Sequence, residues 1–470
     1  MYQLHHPSLN LPIKGRGPEE HSIDMERQLT HAPHGHVLTN ANVWSPDSRW
    51  IVYDVRSDPA GAAFDGTRIE RVHVATGEVQ TLYESRRGAC CGVATFSPID
   101  DRVAFVLGPE DPTPDWQYAA YHRRGVIVNA SRPGEVEGID ACDVAPPFTP
   151  GALRGGSHVH IFSGDGQWVS FTYEDHILAN PVTPRYSEGS SQSTAADHSH
   201  ADLNQRNVGV ATPYAAVQPP PSHPRNNPGR FFTVLATKTV NHPRPGSDEI
   251  CRAYEDAWVG AIGYRRADGQ WQTRALAFLG DLLDVDGEPM TELFIVDLPD
   301  DVTQPGDGPL EGTSTCRPAP PAGAQQQRLT FTADRPYPGV QGPRHWPRSS
   351  PDGSQIAFLM RDHAGVVQLW TVSPNGGPPR QVTSDPWSVE SAFTWGPQGT
   401  QIAYAADRSV MTVDVASGES TRATERSAGD DRPRREACVF SPDGRKIAFC
   451  REISGPEGRF NQVFTVAALT

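Results

Sequence analysis

Phe440-Ser-Pro-Asp-Gly-Arg-Lys-Ile-Ala-Phe449 decides the fold of this chain, because near copies of it return along the sequence. They read Trp44-Ser-Pro-Asp-Ser-Arg-Trp-Ile-Val-Tyr53, Phe96-Ser-Pro-Ile-Asp-Asp-Arg-Val-Ala-Phe105 and Phe162-Ser-Gly-Asp-Gly-Gln-Trp-Val-Ser-Phe171. Two more follow, Ser349-Ser-Pro-Asp-Gly-Ser-Gln-Ile-Ala-Phe358 and Trp395-Gly-Pro-Gln-Gly-Thr-Gln-Ile-Ala-Tyr404. Pro fixes φ early in the phrase, Asp tolerates the bridge region and Gly supplies positive φ, so each phrase is a tight turn between antiparallel strands. The residues after it alternate apolar and small, as in a strand packed between sheets. Repeats of this period mean an array of like units, and units of antiparallel strands close into a β-propeller.

The spacing sets the blade count. The last three phrases lie 46 residues (349 to 395) and 45 residues (395 to 440) apart, while the interval from 162 to 349 leaves room for divergent blades that lack the phrase. Strand candidates there are 231–237, 258–264, 275–279 and 292–298; Asp248-Glu249 and Arg252 to Glu255 have helical three- and four-residue spacing. Seven blades of four antiparallel strands fit 470 residues, with loop insertions near 181–229 and 299–327, rich in Pro, Gly, Ser and Gln. A second phrase ends the blades, as in Val79-Gln-Thr-Leu82, Arg328-Leu-Thr-Phe331, Arg380-Gln-Val-Thr383 and Thr421-Arg-Ala-Thr424. Its copy Arg27-Gln-Leu-Thr30 precedes the first full blade, and the last blade lacks one. The N-terminal strand is therefore expected to complete the C-terminal blade, which removes the open sheet edge. Residues 1–26 read as a flexible extension and 27–470 as one all-β propeller.

Composition narrows the function classes. With 41 Lys and Arg against 56 Asp and Glu, the net charge of −15 speaks against nucleic acid, which clustered cations bind. No run of about 18 apolar residues offers a membrane span. The first 25 residues have no apolar signal core, and seven Cys without framework spacing suit a reducing, cytoplasmic setting. No Gly-x-Ser-x-Gly elbow, P-loop or dinucleotide fingerprint occurs.

Aligning the phrases on the Pro position yields candidate site residues. Six positions earlier stand Asn40, Gly92, His158, His345, Ser391 and Glu436; five earlier stand Ala41, Val93, Val159, Trp346, Ala392 and Ala437, nearly all apolar. Strand side chains alternate, so the two rows are expected on different faces, the polar row ringing one mouth of the central channel. His158 and His160, two apart, are expected on one side. With His345 on another blade and His36 ahead of the first, they form a candidate set for one divalent metal (manganese, zinc or iron). The plain alternative is a wet, polar channel without metal. Arg124 and Arg154 can clamp a carboxylate, or pair on the surface; His176, in Tyr173-Glu-Asp-His176, offers an acid or base, or lies in a solvated loop.

Beyond the repeat, the chain is similar to the YidR-like family, a bacterial domain family of unknown function with TolB-type propeller repeats. The residues that carry this are His36-Val-Leu-Thr-Asn40, His122-Arg-Arg-Gly-Val-Ile-Val128, Arg154-Gly-Gly-Ser-His-Val-His160, Arg206-Asn-Val-Gly-Val210, Pro245-Gly-Ser-Asp-Glu-Ile250 and Arg344-His-Trp346. Asn40 and Glu436 from the polar row, with His122 and Arg206 from these motifs, are candidate ligand contacts. The repeats also resemble oligogalacturonate lyase, a seven-bladed propeller that holds manganese on three His and one Gln. The resemblance places its His-x-His pair on His158 and His160, and its Gln on Gly155, which carries no ligand atom.

Two readings stand at this stage. One is a scaffold binding a small molecule, an oligosaccharide or a protein through one channel mouth. The other is a metal-dependent lyase or related sugar-acid enzyme, in which the metal acidifies a C–H beside a uronate carboxylate and a side chain removes the proton.

Overall fold

The computed structural model describes residues 26–58, 63–179, 201–343 and 346–468. His345 lies outside them, as does all but the last residue of the 1–26 extension. Seven four-stranded antiparallel sheets follow one another round a ring. Each runs from an inner strand at the axis to an outer strand at the rim. Blade 1 holds Gly35–Val37, Trp50–Arg56, Arg68–His73 and Val79–Glu84. Blade 2 holds Cys91–Phe96, Arg102–Leu107, Arg124–Asn129 and Arg132–Gly138. Blade 3 holds Gly155–Phe162, Val169–Asp175, Asn207–Thr212 and Phe232–Leu235. Blade 4 holds Arg252–Trp258, Ala275–Leu283, Pro289–Asp297 and Gln325–Arg328. Blades 5 and 6 begin at Arg348–Ser349 and Thr394–Trp395. Blade 7 holds Pro433–Phe440, Lys446–Gly455 and Gly458–Ala467, and Arg27–Gln28 is its outer strand.

Four of the six copies of the repeated phrase, those at Ser45, Ser163, Ser350 and Ser441, build the same turn. Its Ser hydroxyl donates to the Asp carboxylate two residues on, at 2.6 Å for Ser45–Asp47, Ser163–Asp165 and Ser441–Asp443 and 2.5 Å for Ser350–Asp352. The same oxygen accepts the backbone N–H five residues on, that of Trp50, Trp168, Gln355 or Lys446. Side chain and backbone thus close one ring that fixes the hairpin.

Adjacent blades pack face to face. Seven apolar clusters among the described residues fill the seven gaps, from Val52, Phe96 and Phe105 between blades 1 and 2 to Tyr53, Val439 and Val463 between blades 7 and 1. Tryptophans add a polar link: Trp44 Nε1 donates to Val439 O at 2.9 Å, Trp258 Nε1 to Ile161 O at 3.0 Å and Trp395 Nε1 to Arg348 O at 2.8 Å. Each joins one blade to its neighbour, so an indole serves both burial and hydrogen bonding.

Sequence expectation and structure differ at two places. The helical spacing at 252–255 belongs to the inner strand of blade 4, because pairing with Ala275–Leu283 overrides a local pattern of only four residues. The stretch near 181–229 contains a regular strand, Asn207–Thr212, which is the third of blade 3. Of the 162–349 interval, blade 4 alone is a complete blade without the phrase.

Closure is covalently open and held by contacts. Arg27 pairs with Thr465 and Gln28 with Phe464, Leu29 N donates to Val463 O at 2.8 Å, and the buried Arg451 binds Glu26. Leu29, 2% exposed, sits in the cluster between blades 7 and 1. Leu29→Ala is expected to cost about 2–5 kcal/mol, the range for an emptied leucine site, read as a lower urea midpoint. An unchanged midpoint would mean the closing strand adds nothing to ring stability.

Candidate functional site

One feature of the inner strands shapes the channel. Val93 (φ 59°), Val159 (φ 55°) and Glu255 (φ 58°) occupy the same place in blades 2, 3 and 4, five residues before the turn position. Left-handed backbone is costly for a β-branched residue. At each one the strand register shifts, between Gly92 and Thr95, His158 and Ile161, and Tyr254 and Ala257. In blade 2 the Asp54 carboxylate accepts the Val93 N–H at 3.1 Å, a partner that the sheet does not supply.

These bulges break the alternation expected of the two rows. Ala41, Val93, Val159 and Trp346 are not turned away from the axis: they meet Ile161 and Trp258 there, in an apolar plug contributed by five blades. Above the plug opens a cavity of about 360 Å³ at the channel mouth, lined by Asn40, His158 and Glu436 of the polar row. Arg56, Tyr118, Arg123, Arg434 and Arg435 complete its polar wall. Gly92 lines no cavity; a Cβ there would stand 2.7 Å from Asp54 and 2.9 Å from Phe64, so its lack of side chain leaves room for the Asp54–Arg56 pair. Ser391 is buried and bonds within blade 6: its hydroxyl donates to Ala392 O and accepts the Ala405 N–H.

The metal candidates among the described residues, His36, His158 and His160, are not brought together. With Val159 in the left-handed region, His158 faces the mouth and His160 turns the other way, between blades 2 and 3. There His160 Nε2 lies 3.0 Å from Ser157 Oγ and 3.8 Å from Asp140 Oδ1, in a fully buried network that also takes the Gly125 N–H at 2.8 Å. His36 is buried between blades 7 and 1, its Nδ1 2.8 Å from Asn461 O and its ring stacked on His34. Among the described residues no three His, Cys, Asp or Glu side chains gather to hold a metal. The pair that the lyase resemblance implies, His158 and His160, therefore does not converge on one point, and Gly155 carries no ligand atom.

The remaining candidates fall in three environments. Arg154, 1% exposed, lines no cavity: its Nε binds Asp175 at 2.8 Å and its other nitrogens bind the carbonyls of Thr313 and Cys316, pinning the 299–327 insertion to blade 3. Arg206 binds Glu174 at 2.9 Å. Arg124 pairs with Glu110 at 3.0 Å and lines a second cavity of about 620 Å³, beside His122. His122 Nε2 is 2.9 Å from His176 Nδ1, its Nδ1 is 2.7 Å from Gln117 O, and Trp116 stacks on it at 3.8 Å. The carbonyl makes His122 Nδ1 the donor, so its Nε2 accepts from His176.

Electrostatics at the mouth oppose the chain as a whole. Four arginines, 56, 123, 434 and 435, meet two carboxylates, Asp54 and Glu436. Burial, followed by the charges of Arg123 and Arg206, holds His158 well below the usual imidazole range, so the ring is neutral. Glu436 lies 3.6 Å from Arg434 and 3.7 Å from Arg435. Arg123 has no carboxylate within ion-pair distance among the described residues; its guanidinium sits 5.4 Å over the Tyr118 ring. The sequence reading picked its neighbours His122 and Arg124, since nothing in a loop run shows which of three consecutive residues turns inward. The signal was Gly156: a Cβ there would stand 2.2 Å from Ala120 O and 2.9 Å from Arg123 N, so this glycine lets that segment approach the inner strand.

Two outcomes follow from the buried groups. Arg154→Ala strands the Asp175 carboxylate and is expected to cost about 3–5 kcal/mol, seen as a lower melting temperature; an unchanged melting temperature would contradict its anchoring role. Burial lowers His36 and His160 to about 3, whereas in the unfolded chain they titrate near 6.5. Their stabilising effect is complete above pH 6.5 and is lost as pH falls toward 3. Asp140 and Asp256, raised to about 6 by burial, act in the opposite sense, favouring the fold as pH falls from 6 toward 3.8. The histidine shifts are larger, and His158 adds to them, so the urea midpoint should drop between pH 7 and pH 5. Equal midpoints would mean that these rings ionise inside the fold.

Comparison with known proteins places this geometry. The family model described as a protein of unknown function (DUF3748) matches residues 90–227. Over 437 residues the chain is 46% identical to the uncharacterized protein YidR of Escherichia coli strain K12, an alignment that covers 92% of this chain and 96% of that one. An oligogalacturonate lyase solved in complex with manganese superposes with a TM-score of 0.53 at 12% identity, covering 96% of this chain and 94% of the other. The oligogalacturonate lyase of Vibrio parahaemolyticus gives 0.54 at 9% identity, covering 96% and 95%. At those identities the likeness establishes the architecture alone. The identity to YidR extends over nearly the whole of both chains, and the chain belongs to the YidR family.

Proposed function

We propose that the channel mouth binds a small acidic ligand of the sugar-acid class, with its carboxylate on Arg123. One observation carries this reading. Four polar atoms buried at the mouth have no hydrogen-bond partner among the described residues: Asn40 Nδ2, Arg123 Nε, His158 Nδ1 and Trp346 Nε1. Buried polar atoms are nearly always satisfied, so four on one wall support a partner from outside the chain. A ligand rich in hydroxyls supplies such partners, directly or through bridging water.

The donors and acceptors fit such a ligand. Arg123 and Arg435 offer charge-assisted bonds to a carboxylate. Asn40, Trp346 and Glu436 present groups for ring hydroxyls, and Tyr118, stacked on Phe64 at 5.0 Å, gives an apolar platform at the rim. A cationic mouth on a chain of net charge −15 also draws anions to this opening and away from the rest of the surface. The apolar plug below seals the channel, so the ligand is held at the mouth and does not thread through. Binding is favoured over metal-dependent elimination because His160 of the His-x-His pair faces Ser157 and Asp140 between blades 2 and 3, away from His158 at the mouth.

Isothermal titration with galacturonate and with galactose tests the proposal. Galacturonate should bind and neutral galactose should not. Arg123→Gln should weaken galacturonate about tenfold or more, the range for losing a charge-assisted hydrogen bond, at unchanged melting temperature. Equal binding of acid and neutral sugar, or no effect of Arg123→Gln, would overturn it.

A further inference from the structure

We infer that the second cavity is an anion subsite joined to the mouth through Arg123, so that the ligand is a chain carrying at least two acidic groups. This rests on the channel-mouth reading and extends it. Arg123 lines both the 360 Å³ cavity and the 620 Å³ cavity, so the two spaces meet at this residue. A ligand held by that group at the mouth continues into the larger space without leaving protein contact.

The far cavity is prepared for an anion by a second arginine. Arg225 donates to the backbone carbonyls of Glu110 at 2.8 Å and Asp111 at 3.0 Å, and lies 5.6 Å from the Trp116 ring. Those contacts fix the guanidinium in place but leave its charge without an ion-pair partner among the described residues. Elsewhere in the cavity the charges close on themselves, Arg124 with Glu110 and Arg87 with Asp111. The exposed Asp115 is the one lining carboxylate outside those pairs. A guanidinium preorganised by carbonyls, beside an indole already packed on one face by His122, matches a second acidic ring: carboxylate on the arginine, ring edge against the aromatic wall.

Galacturonate, digalacturonate and trigalacturonate distinguish the outcomes by titration calorimetry on the full chain. Digalacturonate should bind about tenfold more tightly than galacturonate, and Arg225→Gln should remove that gain while leaving galacturonate affinity unchanged. Should Arg225→Gln fail to fold, the length series on the unaltered protein decides by itself. Equal affinity for one and two units, or an Arg225→Gln variant that weakens both alike, sinks the second subsite and leaves the mouth site standing. If no acid of any length binds, the mouth reading falls and takes this one with it.

Discussion

Each four-stranded blade is apolar on both faces, and no blade covers its own. Everything else in this molecule follows from burying those faces against two neighbours. A linear stack would leave its terminal faces in water and its last strand unpaired. Bending the stack into a ring removes both costs at once, at the price of tying the two ends of the chain together. The tie is Arg27–Gln28 against Gly458–Ala467, reinforced by Leu29 in the last inter-blade cluster and by Arg451 on Glu26.

Ring closure also makes the site. Inner strands from separate parts of the sequence converge on the axis, and their side chains compete for a narrow space. Apolar residues from five blades fill it as a plug, which forces the polar ones upward to the mouth. The left-handed residues Val93 and Val159 allow this division: without the bulge, strict alternation would send one of two neighbours into the gap between blades. Two valines in a conformation they disfavour, at matching positions beside a cavity with orphaned polar atoms, are where stability has been given up for shape.

Charge follows the same logic. Arginines in this chain mostly anchor structure: Arg154 pins the 299–327 insertion, Arg206 binds Glu174 and Arg56 binds Asp54. Arg123 and Arg225 differ because no carboxylate meets them among the described residues, although the chain has 15 more acidic than basic residues. Histidines divide likewise. His36 and His160 are kept neutral deep between blades, and only His158 of the described metal candidates reaches the mouth.

The sequence by itself determined the propeller, the turn built by each Ser-Pro-Asp-Gly phrase, and the closing role of Arg27-Gln28. All three depend on local chemistry or on a repeat visible by eye. It also singled out Asn40, His158 and Glu436, because counting back from a fixed turn finds equivalent strand positions. It misplaced His160 and the apolar row, since that count assumes an unbroken period of two and the bulge at Val159 has no signature in residue type. Only the tertiary structure decided which arginine of His122-Arg123-Arg124 faces inward, and that Arg154 is spent on Asp175. Those outcomes turn on which segments approach one another, Arg123 beside Gly156 and Arg154 beside Asp175, and such contacts leave no trace in the spacing of the turn phrases.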